Sequence, residues 1–320
     1  MPQIHFSTRL NSFGIGKGKK YPDGSLSTID LIEIASTVKG LTALEVNYPE
    51  HFVSTKPAEV KQALADAKLE IKGIQLRWPA PKFANGAFTN SDAAIRKASI
   101  ELVKEAMVVA RELGTDHILL WPAHDGYEYP LQMDYMLAWD WFVEALKELA
   151  DHAPDLRISI EYKPAEPRGR TILNTTGSVM KLVNDVDRKN VGVTLDFGHL
   201  LMAGENPAQS AALCLREHKL FGLQLNDSHG AADDGLVVGS IHFSETLELC
   251  YYLVRENYPG TYYFDTDPVR ENPVLECEMN IVRMKYFIEK ATEMVKEDPK
   301  LPSGDALKAS AAWWDKVTSA

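Results

Sequence analysis

The chain has 320 residues, 45% of them apolar, enough to build one large core and too many for a disulfide-stapled miniprotein or a disordered segment. Lysine and arginine number 34 against 45 acids, a formal charge of -11, and such a surface repels phosphate backbones and anionic membranes, so neither nucleic acid nor a membrane is expected as a partner. The three widely spaced cysteines, Cys214, Cys250 and Cys277, form no metal or redox pair and read as buried apolar residues in a reducing compartment. The first residues, MPQIHFSTRL, lack the basic and apolar regions of a secretory signal, which makes the cytoplasm the expected location.

In chain order, short β-branched and aliphatic runs predict strands at Ile4 to Ser7, Leu41 to Tyr48, Ile71 to Trp78, Asp116 to Ala123, Arg157 to Lys163, Asn190 to Asp196, Leu220 to Asn226 and Thr261 to Asp265. Each precedes an amphipathic stretch. The clearest has Ser91 as its cap, apolar residues from Ile95 to Ala110 near 3.6-residue spacing, and Gly114 as its stop. Eight strand-helix units predict a closed (β/α)₈ barrel, a TIM barrel, over residues 1–296. An open nucleotide-binding sheet would need a glycine-rich turn between its first strand and helix; the Gly14, Gly16, Gly18 cluster precedes no helix at the right place and reads as a loop. Pro299, Pro302, Ser303 and Gly304 then interrupt the last helix, leaving residues 297–320 as a tail with a short helix carrying Trp313 and Trp314, suited to packing on the barrel or a second subunit.

A barrel of this kind keeps its chemistry at the C-terminal ends of its strands. Here the fifth predicted strand ends in Glu161 with Lys163 two residues on, and the sixth ends in Asp196 with His199 three residues on. The seventh carries Gln224 and Asn226 ahead of Asp233 and Asp234, and the eighth ends in Asp265. So many carboxylates around one mouth are costly unless a cation neutralises them. Oxygen donors with one imidazole suit Mg²⁺, Mn²⁺ or Co²⁺ rather than a structural zinc site. Taken singly, each acid could equally be a helix cap.

At these positions the chain resembles the xylose isomerase family of metal-dependent sugar isomerases, from about Gly73 to Pro268. Ile160-Glu-Tyr-Lys-Pro-Ala-Glu-Pro-Arg168 is similar to the family's I-E-P-K-P-N-E-P-R, and Leu220-Phe-Gly-Leu-Gln-Leu-Asn226 to its L-F-H-I-D-L-N. Asp196 and His199 with Met202-Ala-Gly204 resemble its Glu-x-x-His strand followed by M-A-G, Gly86 to Asp92 resembles G-G-F-T-S-N-D, and Leu120-Trp121 its fourth-strand L-W. The resemblance implies a first metal on Glu161, Asp196 and Asp265 with Gln224 at a fourth ligand position. It implies a second metal on Asp196, His199 and Asp233 or Asp234. It makes Lys163, with Glu161 and His199, the catalytic group, Lys163 bonding the sugar's O1, and Trp78 and Trp121 apolar walls around C1 and C2. Asn226, Asn47 and Arg270 are candidate substrate contacts, Arg270 having pairing with Glu276 as its alternative.

Three departures stand out. Asn47 falls where the family has its ring-opening histidine, with His51 nearby but unaligned; Gln224 replaces a carboxylate; and Gly235 replaces a second-metal aspartate. The expected activity is a metal-assisted hydride shift interconverting aldose and ketose of an unphosphorylated sugar: a pentose, a branched pentose such as apiose, or a deoxyhexose. One or two divalent metals per chain and a homodimer or homotetramer are expected with it. A ketose 3-epimerase using carboxylate proton exchange is the main alternative. A metal phosphodiesterase and a non-catalytic sugar-binding protein are the readings from other classes.

Overall fold

A computed structural model describes residues 4–14, 26–166, 168–297 and 305–318. Eight parallel strands form one sheet: β1 (Phe6–Thr8), β2 (Ala43–Tyr48), β3 (Glu70–Leu76), β4 (His117–Leu120), then β6 (Arg157–Glu161), β9 (Val191–Asp196), β10 (Leu220–Leu225) and β11 (Tyr262–Phe264). All eight fall inside or within one residue of the predicted runs. The sheet curls until β1, paired with β11, also meets β2 through the Arg9–Glu45 bridge and a Thr42 N–H to Phe6 carbonyl bond of 3.1 Å. The result is a nearly closed (β/α)₈ barrel, as predicted.

The helices between strands are α1 (Thr28–Ala35), α2 (Pro57–Ala67), α3 (Ala93–Leu113), α4 (Tyr135–His152), α5 (Thr176–Val186), α6 (Phe197–Met202) with α7 (Pro207–Arg216), and α8 (Phe243–Arg255). After the last strand come α9 (Pro273–Glu297) and the tail helix α10 (Ala306–Thr318). Helix α3 shows why the pattern works: Val103, Ala106, Met107 and Ala110 face the core, and Gly114 stops the helix at φ +87°, a left-handed conformation that suits glycine. Its cap is Asp92, accepting from the Ala94 N–H, rather than Ser91. The predicted fourth and fifth strands run on too far. Strand β4 stops at Leu120, before Pro122, which has no N–H to offer a ladder. Strand β6 stops at Glu161, and the chain beyond it forms β7 (Ala165–Glu166) and β8 (Gly169–Thr171), which join β5 (Gly126–Tyr127), from the segment after β4, in a small antiparallel sheet of pieces too short for a periodicity to announce. Gly14 closes a 3₁₀ turn, Leu10–Gly14, while Gly16, Gly18 and the interrupting residues Pro299 to Gly304 lie outside the described residues. All three cysteines are buried, and no helix among the described residues is long and apolar enough to cross a membrane.

The barrel interior carries a polar layer. Gln75 donates to Glu45 at 3.1 Å, and His117, Ser159 and Thr194 form a chain of 2.7 Å hydrogen bonds across β4, β6 and β9. Burial lowers His117 to about 3 and raises Glu45 from 4.5 to about 7. Between those two values the folded chain holds a proton on Glu45 that the unfolded chain has released. Glu45 therefore contributes stability that is fully present below about pH 4.5 and is lost as pH rises through about 7. Replacing Glu45 with Gln is expected to flatten that loss by on the order of 3 kcal/mol between about pH 4.5 and about pH 8, as read from urea unfolding at both. Identical pH slopes for the two proteins would show that Glu45 is not held neutral.

Candidate active site

Asp196 ends β9 and caps α6, accepting the His199 N–H at 2.9 Å. This cap swings the His199 ring back over the strand ends. Its Nδ1 lies 3.0 Å from the Tyr162 carbonyl, 3.3 Å from Glu161 Oε1 and 3.9 Å from Asp196 Oδ1, and its Nε2 lies 3.2 Å from Asp233 Oδ2. One ligand atom each of Glu161, Asp196 and His199 lie within 4.8 Å of one another, and all three residues are buried. Asn226 holds Asp196 in place: its Nδ2 donates to both carboxylate oxygens (3.3 and 3.1 Å) and to the Asp265 carbonyl, and its Oδ1 accepts the Gly198 N–H at 2.8 Å. A Cβ on residue 198 would stand 2.9 Å from that Oδ1, so the close approach requires glycine.

The electrostatics ask for a cation. Burial raises Glu161 to about 8 and Asp196 to about 6. Burial alone would keep His199 neutral, yet Asp196, Asp233 and Glu161 carry it up to about 9. Protons here neutralise a charge that a metal ion would neutralise better. Glu161 Oε2, Asp265 Oδ1 and both amide atoms of Gln224 are buried with no hydrogen-bond partner among the described residues. Orphaned acceptors on three strand ends beside a Glu-Asp-His group are a donor set for a divalent ion, and the cluster can hold one.

Above the cluster opens a cavity of about 630 Å³, lined by Lys163, Trp121, Arg9, Arg77, Asp233 and Asp265 among others. Lys163 follows β6, is largely buried, and donates to Asp233 at 3.0 Å and to Glu166; burial works against its charge, but these acids raise its pKa. Its Nζ lies 5.6 Å from the centre of the Trp121 ring.

The structure thus brings Glu161, Asp196, His199, Asp265, Gln224, Lys163 and Trp121, at or just beyond strand ends, and Asp233, from the loop after β10, to one mouth. Other candidates stand apart. Asp234 turns into its own loop and accepts the His229 N–H. Asn226 reaches Asp196 rather than the cavity wall. Trp78 is buried edge-on against Phe88 and is not among the lining residues. Asn47 is buried, its side chain donating to Asn11 and Glu50, and its N–H is accepted by His51 Nδ1. Arg270 is exposed and outside the lining, and Glu276 bonds Thr266 and Asn280 instead of Arg270. Sequence reasoning missed Arg9, which pairs with Asp267 at 2.6 Å and lies 3.6 Å from Asp265, and Arg77. Both immediately follow a strand, β1 or β3, so the strand-end rule applied to the first half of the chain would have found them.

The fold and the site define a (β/α)₈ barrel with an acid-imidazole cluster at the C-terminal ends of its strands. A family model described as xylose isomerase-like TIM barrel matches residues 32–267, and the chain belongs to that family. It is 28% identical to a xylose isomerase of Thermus thermophilus, over 94% of this chain and 83% of that one. It is 29% identical to a xylose isomerase of Thermus caldophilus with the same coverage. Among solved structures it resembles an L-ribulose 3-epimerase (TM-score 0.73, 14% identity, 95% and 100% of the two chains). It also resembles a D-tagatose 3-epimerase-like protein (TM-score 0.70, 21% identity, 91% and 100%).

Proposed function

We propose that the protein is a metal-dependent isomerase that interconverts aldose and ketose forms of an unphosphorylated sugar. The observation that carries this is Lys163, an ammonium kept charged at the barrel mouth, beside the Glu161-Asp196-His199 cluster and over Trp121. The xylose isomerases it resembles along most of its length support the same reading. Glu161, Asp196, Asp265 and His199 would hold a divalent cation, which would supply Lewis-acid polarisation of the sugar's oxygens.

The chain's own residues do the rest. Lys163 donates to the oxygen that gains negative charge as the C1 carbonyl is reduced. Trp121 covers the reacting carbons and excludes water, so the hydrogen leaving C2 has no solvent to exchange with. The Tyr162 carbonyl fixes the His199 ring by accepting from Nδ1–H, which leaves Nε2 facing Asp233. His51, with Nδ1 committed to the Asn47 N–H and Nε2 buried without a partner, is drawn down to about 4 by burial and is not among the cavity-lining residues. Ring opening is therefore assigned neither to Asn47 on β2 nor to His51 in the turn after it.

The second reading, a ketose 3-epimerase, is favoured by Gln224, whose neutral amide leaves one compact acid-imidazole group, and by the names of the structural neighbours. The fate of a label separates the two. Aldose deuterated at C2, turned over with Mn²⁺ in ordinary water, is expected to give ketose deuterated at C1. Complete washout would sink the hydride shift and leave proton exchange through a carboxylate, which equilibrates with water quickly.

A further inference from the structure

Five cationic side chains line the cavity: Arg9, Arg77, Lys163, Arg168 and Arg170. Three are engaged by acids, Arg9 by Asp267, Lys163 by Glu166 and Asp233, and Arg168 by Glu128. Arg170, on β8, has no acid partner among the described residues but is exposed to solvent. Arg77 has none either. It follows β3 directly, is half-buried, and holds its guanidinium carbon 4.6 Å from the centre of the Trp121 ring, the ring that Lys163 also borders. Its one side-chain hydrogen bond among the described residues runs from Nη2 to the neutral Gln75 Oε1, at 3.1 Å, and no carboxylate among them pairs with it.

A guanidinium has five N–H donors in a fixed fork, so most of the donors of this cavity-lining side chain have no protein acceptor among the described residues. Its place over the Trp121 ring anchors the guanidinium, and a carboxylate is the ligand that takes two of its donors in parallel. Five carboxylates line the cavity with the five lysine and arginine side chains, so its lining is balanced in number, and Arg77 is a positive charge that none of those acids pairs with.

We propose that the substrate is a sugar acid, whose carboxylate is received by Arg77 against Trp121 while its carbonyl end meets Lys163 and the Glu161-Asp196-His199 cluster. This rests on the sugar-isomerase reading and narrows its substrate class. The carboxylate is a spectator. As C1 is reduced from aldehyde to alcohol, C2 is oxidised from alcohol to ketone within the same molecule, one hydrogen passing from C2 to C1 and one proton from O2 to O1. No outside oxidant or reductant is needed.

The test compares aldohexuronates with their matched neutral hexoses, with D-xylose and with glucose 6-phosphate, in the presence of Mn²⁺, for the wild type, Arg77→Gln and Arg77→Lys. Binding of D-gluconate against sorbitol, by calorimetry on the same proteins, gives a readout independent of turnover. The wild type is expected to favour a uronate over its hexose by about tenfold or more in kcat/KM. Arg77→Gln is expected to cut the uronate-over-hexose ratio of kcat/KM, and the gluconate affinity, by about ten- to a hundredfold, the scale of one charge-assisted pair. Arg77→Lys should fall between them, since it keeps the charge without the fork. Turnover of neutral sugars with no uronate preference overturns the proposal and leaves the isomerase reading standing, and a preference for the phosphorylated sugar overturns the carboxylate. No turnover of any sugar, with gluconate binding still dependent on Arg77, supports the anion site and removes the isomerase reading instead.

Discussion

Replacing Lys163 with Met is expected to leave the barrel folded and lower kcat by about a hundredfold or more, the loss typical of one donor aimed at developing charge in a transition state. Methionine keeps most of the side chain's length and apolar stem, so the packing on Trp121 survives while the ammonium goes. Glu166 and Asp233 lose their shared cation, but both are partly exposed and can turn to water. Stability should therefore move little, and a drop confined to kcat, with a melting temperature near that of the wild type, is the signature of a chemical role. An unchanged kcat would mark Lys163 as a structural counter-ion for the two acids.

Removing the metal is expected to have the larger effect. Chelator should abolish turnover, and Mn²⁺, Co²⁺ or Mg²⁺ should restore it. Glu161→Gln, which keeps the shape and removes the charge, should abolish the rise in melting temperature that added Mn²⁺ gives the wild type. That rise corresponds to about 2.7 kcal/mol when free metal is a hundred times its dissociation constant. The sign of the effect without metal is the more telling measurement. A carboxylate buried among like charges costs stability, so metal-free Glu161→Gln should be as stable as the metal-free wild type or more so. A strongly destabilised metal-free variant, or full turnover by verified metal-free enzyme, would defeat the assignment of this cluster to a cation.

The parts of the fold that were legible in sequence are those where one residue type has one physical reason to be there. Runs such as Val191 to Leu195 are buried from end to end because helices cover the sheet outside and side chains fill it inside, so they read as unbroken apolar strands. The acids that end β6, β9 and β11 stood out because a charge directly after such a run has to face the barrel mouth. The two-residue strands around Tyr127 and Glu166 were invisible, since two residues carry no period. The role of Asn226 was hidden for another reason: whether an amide after a strand meets a ligand or a neighbouring carboxylate depends on a contact 30 residues away in the chain, here with Asp196. Asp233 and Asp234 were indistinguishable for the same cause, and only the turn after β10 sends one to His199 and the other to its own backbone.

The Arg9–Asp267 pair has a consequence for how the barrel closes. Arg9 follows β1, and Asp265 and Asp267 follow β11, so the contact ties segments 258 residues apart across the seam where the first strand meets the eighth. Until β11 slots between β10 and β1, Arg9 lacks both of its acid partners and the mouth lacks Asp265, one of its orphaned carboxylates. Contacts of such separation are slow to form because the intervening chain must first be ordered, so the mouth of the barrel is completed only when its seam is.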